Sequence, residues 1–205
     1  MAVNTLAPVG LLFSRNLNSN APTYQTTQYT IVKTNTTKIG KGDIVASASG
    51  TTGYVALTAS DNPSLILGVF DAVLPYFDTN LQQTVFLQWW TGTASPSADV
   101  GCLVCDDPTV LFRAQLQNTA AGWTQSWRGQ NVKWVAGTNG VPNSSGISTL
   151  ALDGANISTT SANFSFRIYG PVGMTGGPQD PANGNPWLEV GINPASSERL
   201  TGTGQ

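Results

Sequence analysis

The chain has 205 residues, no histidine and a net charge of −2, and only 10% of its residues are charged, against about 25% in an ordinary globular domain. Its lysines and arginines are scattered with no basic stripe, which argues against nucleic acid as a partner, and no run approaches the ~18 apolar residues of a membrane helix. Without histidine, the Ser-His-Asp and Cys-His arrangements and the commonest general base and metal ligand are all missing.

Residues 1–23 carry Asn, Ser and Pro and one apolar patch, Val9 to Phe13. They read as an extended N-terminal arm, with Leu11, Leu12 and Phe13 as its anchor on a neighbouring subunit. Fully extended, such an arm spans up to ~75 Å. The start lacks a charged segment before its apolar residues and makes a poor secretion signal.

An all-β body is expected over 24–193. Short runs rich in Val, Ile, Phe and Trp alternate with Gly, Asn, Asp, Ser and Pro clusters, the signal for strands. The core unit is 38–116. The predicted strands are Thr23–Val32, Asp43–Ala46, Gly53–Thr58, Leu65–Tyr76, Thr84–Trp90, Val100–Cys105 and Val110–Leu116. Gly50 and Gly53 mark a hairpin loop, and Ser60–Pro63 a turn. The continuous apolar character of Leu65–Tyr76 predicts burial on both faces, with a bulge or close backbone approach at Gly68.

The second part, 117–193, is rich in Trp. Trp123 and Trp127 are four apart, which predicts a short helix. Strands follow at Ile147–Leu152, at Asn163–Tyr169, and at Trp187–Ile192. In the middle one, Phe164, Phe166 and Ile168 share one face, Ser165 and Arg167 the other. Residues 171–186 form a long loop, and 194–205 a tail. The whole predicts an antiparallel β-barrel or sandwich with long loops.

Few residues invite chemistry. Cys102 and Cys105 form a C-x-x-C, but residues three apart on a strand point to opposite faces. They should neither pair nor chelate together. Asp106 and Asp107 precede Pro108 and read as a turn. Asp71, Asp78, Glu189 and Glu198 are the remaining acid/base candidates, and nothing in their spacing sets two of them 5–9 Å apart for glycoside hydrolysis. Asp180 stands alone among amides, thin for calcium. No cofactor, metal or catalytic residue is expected.

The six tryptophans suit packing in a core or at a subunit interface. Trp89 and Trp90 are consecutive on a predicted strand, so at least one enters such a contact. Trp123, Trp127 and Trp134 lie in loop-rich sequence and are candidates for a platform that stacks on sugars. A glycan-binding or host-adhesion module is therefore the alternative reading.

KGDIV at Lys41–Val45, NPSLILGVFDAVLPYFD at Asn62–Asp78, the W-x-G of Trp90–Gly92 and ADVGCLVCDDPTVLFRAQ at Ala98–Gln115 together resemble a family of small virion proteins of tailed bacteriophages, which decorate or cement the capsid. The likeness covers Lys38 to Gln115. It implies a β-rich, non-enzymatic protein on the outer capsid surface. Its partners would be the major capsid protein and copies of itself in a symmetric cluster, a trimer by preference. The contact candidates are Leu11, Leu12, Phe13, Trp89, Trp90, Trp123 and Trp127.

Overall fold

The computed structural model describes residues 4–17, 25–48, 53–58, 65–119, 121–159, 164–173 and 180–201. The strands in chain order are β1 (Leu12–Asn16), β2 (Thr27–Ile31), β3 (Ile44–Ser47), β4 (Val55–Leu57), β5 (Gly68–Val73), β6 (Tyr76–Asp78) and β7 (Gln83–Val85). They continue with β8 (Val100–Cys105), β9 (Val110–Gln117), β10 (Asn131–Trp134), β11 (Leu152–Ser158), β12 (Phe166–Val172) and β13 (Trp187–Ile192). Among the described residues the only helical pieces are two 3-10 turns and a four-residue helix, Glu198–Thr201. The protein is all-β.

The strands form two rings. In the first the order is β2-β8-β5-β3-β4. It closes where Thr30 bridges Tyr54 and the Thr30 N–H donates to the Gly53 carbonyl at 3.0 Å. In the second the order is β9-β11-β10-β12-β13, and β13 returns to pair with β9. Closure removes most of the free edge of each ring, but β11 meets β9 only at Leu116 and Gln117, which leaves one edge of β9 open over Val110–Arg113. Two pairings depart from the expected antiparallel pattern: β11 runs parallel to β9 at Leu116 and Gln117, and the Thr30–Tyr54 bridge that closes the first ring is parallel.

Each ring has its own core. Ile31, Val45, Val55, Phe70, Val73, Val100, Cys102 and Val104 fill the first, with Trp90 and Tyr76 closing it. Phe112, Ala114, Leu116, Val132, Trp134, Phe166, Ile168, Leu188 and Val190 fill the second. The period-two pattern of β3, β5 and β8 sends every other residue outward. The outward residues Ile44, Val69 and Cys105 do not reach water; they join the second core. Each ring therefore covers one face of the other. Every large side chain buried there contributes about 1.5–3 kcal/mol.

Residues 139–148 tie the rings together. The Asn139 side chain accepts from Ile44 N–H at 2.9 Å and donates to Ile44 and Thr58 carbonyls. The Lys41 N–H donates to Gly146 O, and the Ser148 N–H to Lys41 O, each at 2.9 Å.

Several expectations change. The predicted strand Leu65–Tyr76 is two strands, because Pro75 has no N–H to continue a ladder; Gly68 does make the expected close approach, facing the Cys105 carbonyl. The predicted strand Thr84–Trp90 ends at Val85. Ile147 makes a single bridge to Lys41, and the strand begins at Leu152. Ser165 and Arg167, placed on one face, differ in exposure: Ser165 is buried and Arg167 is exposed. The predicted 194–205 tail is docked over its described part: Ser47 N–H and Oγ donate to Glu198, the Ile66 N–H donates to Ser196 O, and the Glu198 N–H donates to Ile66 O.

The N-terminal arm is also different. β1 pairs with β9, and Leu11 is buried in the second core. Further back, the buried Gln115 side chain accepts from Ala7 N–H and donates to Thr5 O, both at 2.8 Å. Residues 4–17 lie along their own body, because β9 offers an edge whose N–H and C=O groups need partners. The turn Ser60–Pro63, the tip of the β3–β4 hairpin and 174–179 of the long loop lie outside the described residues.

Candidate contact surface

Pro75 starts a new element. β6 and β7 pair Tyr76 with Val85, Phe77 with Thr84, and Asp78 with Gln83. Alternation splits the hairpin into two faces. Tyr76 and Val85 pack on the first core. Phe77 and Thr84 face solvent.

The turn between the strands is held by Asp78. Its Oδ1 accepts from the Asn80 and Leu81 N–H groups, at 2.9 and 3.0 Å, and its Oδ2 from Ser95 N–H at 3.1 Å. These three donors, Ser95 first, keep the carboxyl below its ordinary range. Thr79 donates twice to the Ser95 carbonyl, and Ser97 N–H donates to Phe77 O. Gln82 takes a positive φ of 53° to turn the chain.

On this pinned hairpin three large apolar side chains stand in water: Phe77 is 44% exposed, Leu81 60% and Phe86 76%. Large apolar side chains grouped on one exposed element mark contact sites. No Asp, Glu, Lys or Arg occurs from Thr79 to Ala98. The surface is neutral: these three apolar side chains stand among exposed uncharged ones, Thr79, Asn80, Gln82, Gln83 and Thr84. It offers no proton donor or acceptor beyond amides and hydroxyls; what it can do is bury area against a partner.

The contact residues expected from the sequence are spread over the fold. Leu11 and Trp90 are buried, so neither is open to a partner: Leu11 belongs to the second core, while Trp90 donates its indole N–H to Asn35 O at 2.9 Å. Trp89 is half-buried. Leu12 and Phe13 are half-buried and, with Lys41, Phe70 and Asp71, line a cavity of about 100 Å³. Lys41 and Asp71 form an ion pair there at 2.9 Å.

Trp123 and Trp127 meet edge to face, ring centroids 6.0 Å apart at 84°, and pack on the second core. The helix expected here is a three-residue 3-10 turn, Gln125–Trp127. Trp134 is buried against Phe166 rather than on a platform.

The candidate acids have structural partners. Glu189 accepts from Ser14 and, bidentate, from Arg15. Burial pushes its carboxyl up, but these two partners bring it below its usual range. Asp106 accepts from Thr27 and Tyr29 hydroxyls at 2.8 Å, and Asp107 from Thr109 in the expected turn. Both border an open cleft of about 330 Å³. Cys102 and Cys105 lie in different cores, as strand alternation requires. Burial pushes both thiols up to about 12, which keeps them from acting as thiolate nucleophiles at neutral pH. Among the described residues no group of three His, Cys, Asp or Glu could hold a metal.

Sequence reasoning missed Phe77, Leu81 and Phe86. The signal was present: a 20-residue run without charge that begins just after a proline-broken strand. In comparisons with protein families, with curated proteins and with solved structures, the chain matches none.

Proposed function

We propose that this chain is a non-enzymatic structural protein of a tailed-phage virion. It binds the outer surface of the capsid, contacts the major capsid protein and stabilises the shell together with further copies of itself. What supports the reading is the pinned β6–β7 hairpin, which holds Phe77, Leu81 and Phe86 in water on a rigid double ring. A hydrophobic side chain held rigidly loses little entropy on contact. Each contact can be weak, because many copies on a symmetric lattice gain from effective concentration. Neither nucleic acid nor membrane is needed.

The test is occupancy on purified shells that lack this protein. Wild type should saturate defined lattice sites and raise the temperature at which shells open. Phe86→Asp and Leu81→Asp should lower occupancy at least tenfold, since each places a charge in an apolar contact. Equal occupancy for both variants would remove the hairpin from the contact.

The glycan reading has one observation in its favour, the half-exposed Trp123–Trp127 pair. Edge-to-face rings present no continuous flat platform, so it ranks second. Binding on a glycan array, lost in Trp123→Ala, would reverse the order.

A further inference from the structure

The outer edge of β7 has the properties of a self-association site. Phe77 O accepts from Ser97 N–H, on the side of β6 away from β7. Phe77 and Thr84 are therefore a non-hydrogen-bonded pair, and the Thr84 N–H and C=O point outward, away from β6. Among the described residues no backbone bond is made to them, and Gln83, Thr84 and Phe86 are exposed. Proteins usually blunt such an edge with charge, proline or a bulge. From Thr79 to Ser95 there is neither a charge nor a proline; only the three-residue length of β7 restrains it.

We infer that β7 pairs with β7 of a second copy about a two-fold axis near Thr84. Each Thr84 N–H then donates to the other copy's Thr84 carbonyl, in antiparallel register. Phe86, exposed one residue past the end of β7, then lies across the new seam and shields these bonds from water. A two-fold contact uses one patch against itself, so any charge there would repel its own copy. This edge has none, and a charged partner segment would find nothing here to pair with. That selects a second copy as occupant. Asp78 and Ser95 hold the hairpin in place beforehand, so little order is lost on pairing. The inference deepens the self-association in the reading above and rests on it for that alone. A two-fold edge builds a dimer, not the trimer that the family resemblance implies.

Sedimentation of the free protein over a concentration series tests it, with no shells present, so the result is independent of shell occupancy. Wild type should pass from monomer to dimer as concentration rises, with growing protection of the Thr84 amide from exchange. Thr84→Pro removes an outward N–H and no bond of the β6–β7 ladder; it should stay monomeric. Phe86→Lys should do the same, and it decides the matter if the proline variant fails to fold. A wild-type monomer at every soluble concentration overturns the proposal. So does a dimer or trimer unchanged by both substitutions. Protection of Thr84 only after shells are added assigns the edge to a shell protein and overturns it too.

Discussion

Ser148 Oγ donates to Asp43 Oδ1 at 2.5 Å, inside the protein, where residues of the second half of the chain meet the turn before β3. Gly40 N–H donates to the other oxygen at 2.7 Å. Asp43 is buried, and burial raises its carboxyl above the ordinary range, against the opposing pull of Ser148, Gly40 and Gly140. Its effect on stability therefore has the reverse of the usual acidic sign. The folded state favours the protonated form. That contribution is complete below the unfolded value, about 3.9, and is lost as pH rises through the raised folded value. Urea denaturation as a function of pH, compared with Asp43→Asn, should show wild type losing stability relative to the variant across that window. A constant difference would contradict the assignment.

Glu189 works in the opposite direction. Its folded value is lowered, so its contribution is present above the unfolded value and lost as pH falls through the folded one. Arg15→Ala should reduce stability at neutral pH by about 1 kcal/mol or less, because the guanidinium is half-exposed and surface pairs are weak. The difference should shrink at acid pH. Denaturation of the variant at two pH values checks this.

Asn139 stands in for a strand partner of Ile44 and also satisfies Thr58. Asn139→Ala orphans the Ile44 N–H and the Thr58 carbonyl in a part-buried site, each worth about 1–3 kcal/mol, while the Ile44 carbonyl keeps the Thr58 N–H. The expected outcome is a loss of about 2–4 kcal/mol, seen as a lower denaturation midpoint with unchanged slope. Asn139→Asp should be little better, because it still lacks the donor that the Thr58 carbonyl needs.

Trp90 and Phe86 provide an internal contrast. Trp90→Ala empties part of the first core and should cost about 3–5 kcal/mol. Phe86→Asp changes an exposed side chain and should stay within about 0.5 kcal/mol. Only the second should lower shell occupancy without touching the melting temperature of the free chain, measured at concentrations where it is monomeric.

Both thiols should resist a thiol reagent at neutral pH and react fully once the chain is unfolded, since each is buried and pushed up to about 12. Fast reaction of either in the native protein would show that its core opens.

Most strands were legible in the sequence, because a buried strand shows as a short apolar run whatever its partner. β8 and β9 came out within a residue, with the Asp107 turn between them. The separate fates of Cys102 and Cys105 followed from parity alone. Pairing was not legible. Nothing local in Leu11–Phe13 distinguishes an anchor on a neighbour from a strand on β9, since the deciding fact is an edge roughly a hundred residues away. Trp90 illustrates the other limit. Its apolar bulk was visible, but its burial depends on Tyr76 and Asn35, which the fold brings to it. The contact surface was missed for a different reason: Phe77 and Phe86 look like core residues until Pro75 and the Asp78 turn are seen to lift them away from the body.

β9 receives β1 from the start of the chain and β13 from near its end. During synthesis the opening apolar segment thus leaves the ribosome long before either its partner strand or the core that buries Leu11 exists. The first ring, which needs nothing beyond β8 for its strand pairings, can close in the meantime. Until β9 is made, β1 lacks its partner strand, a window in which chaperone capture or tangling with a neighbouring polysome competes with correct docking.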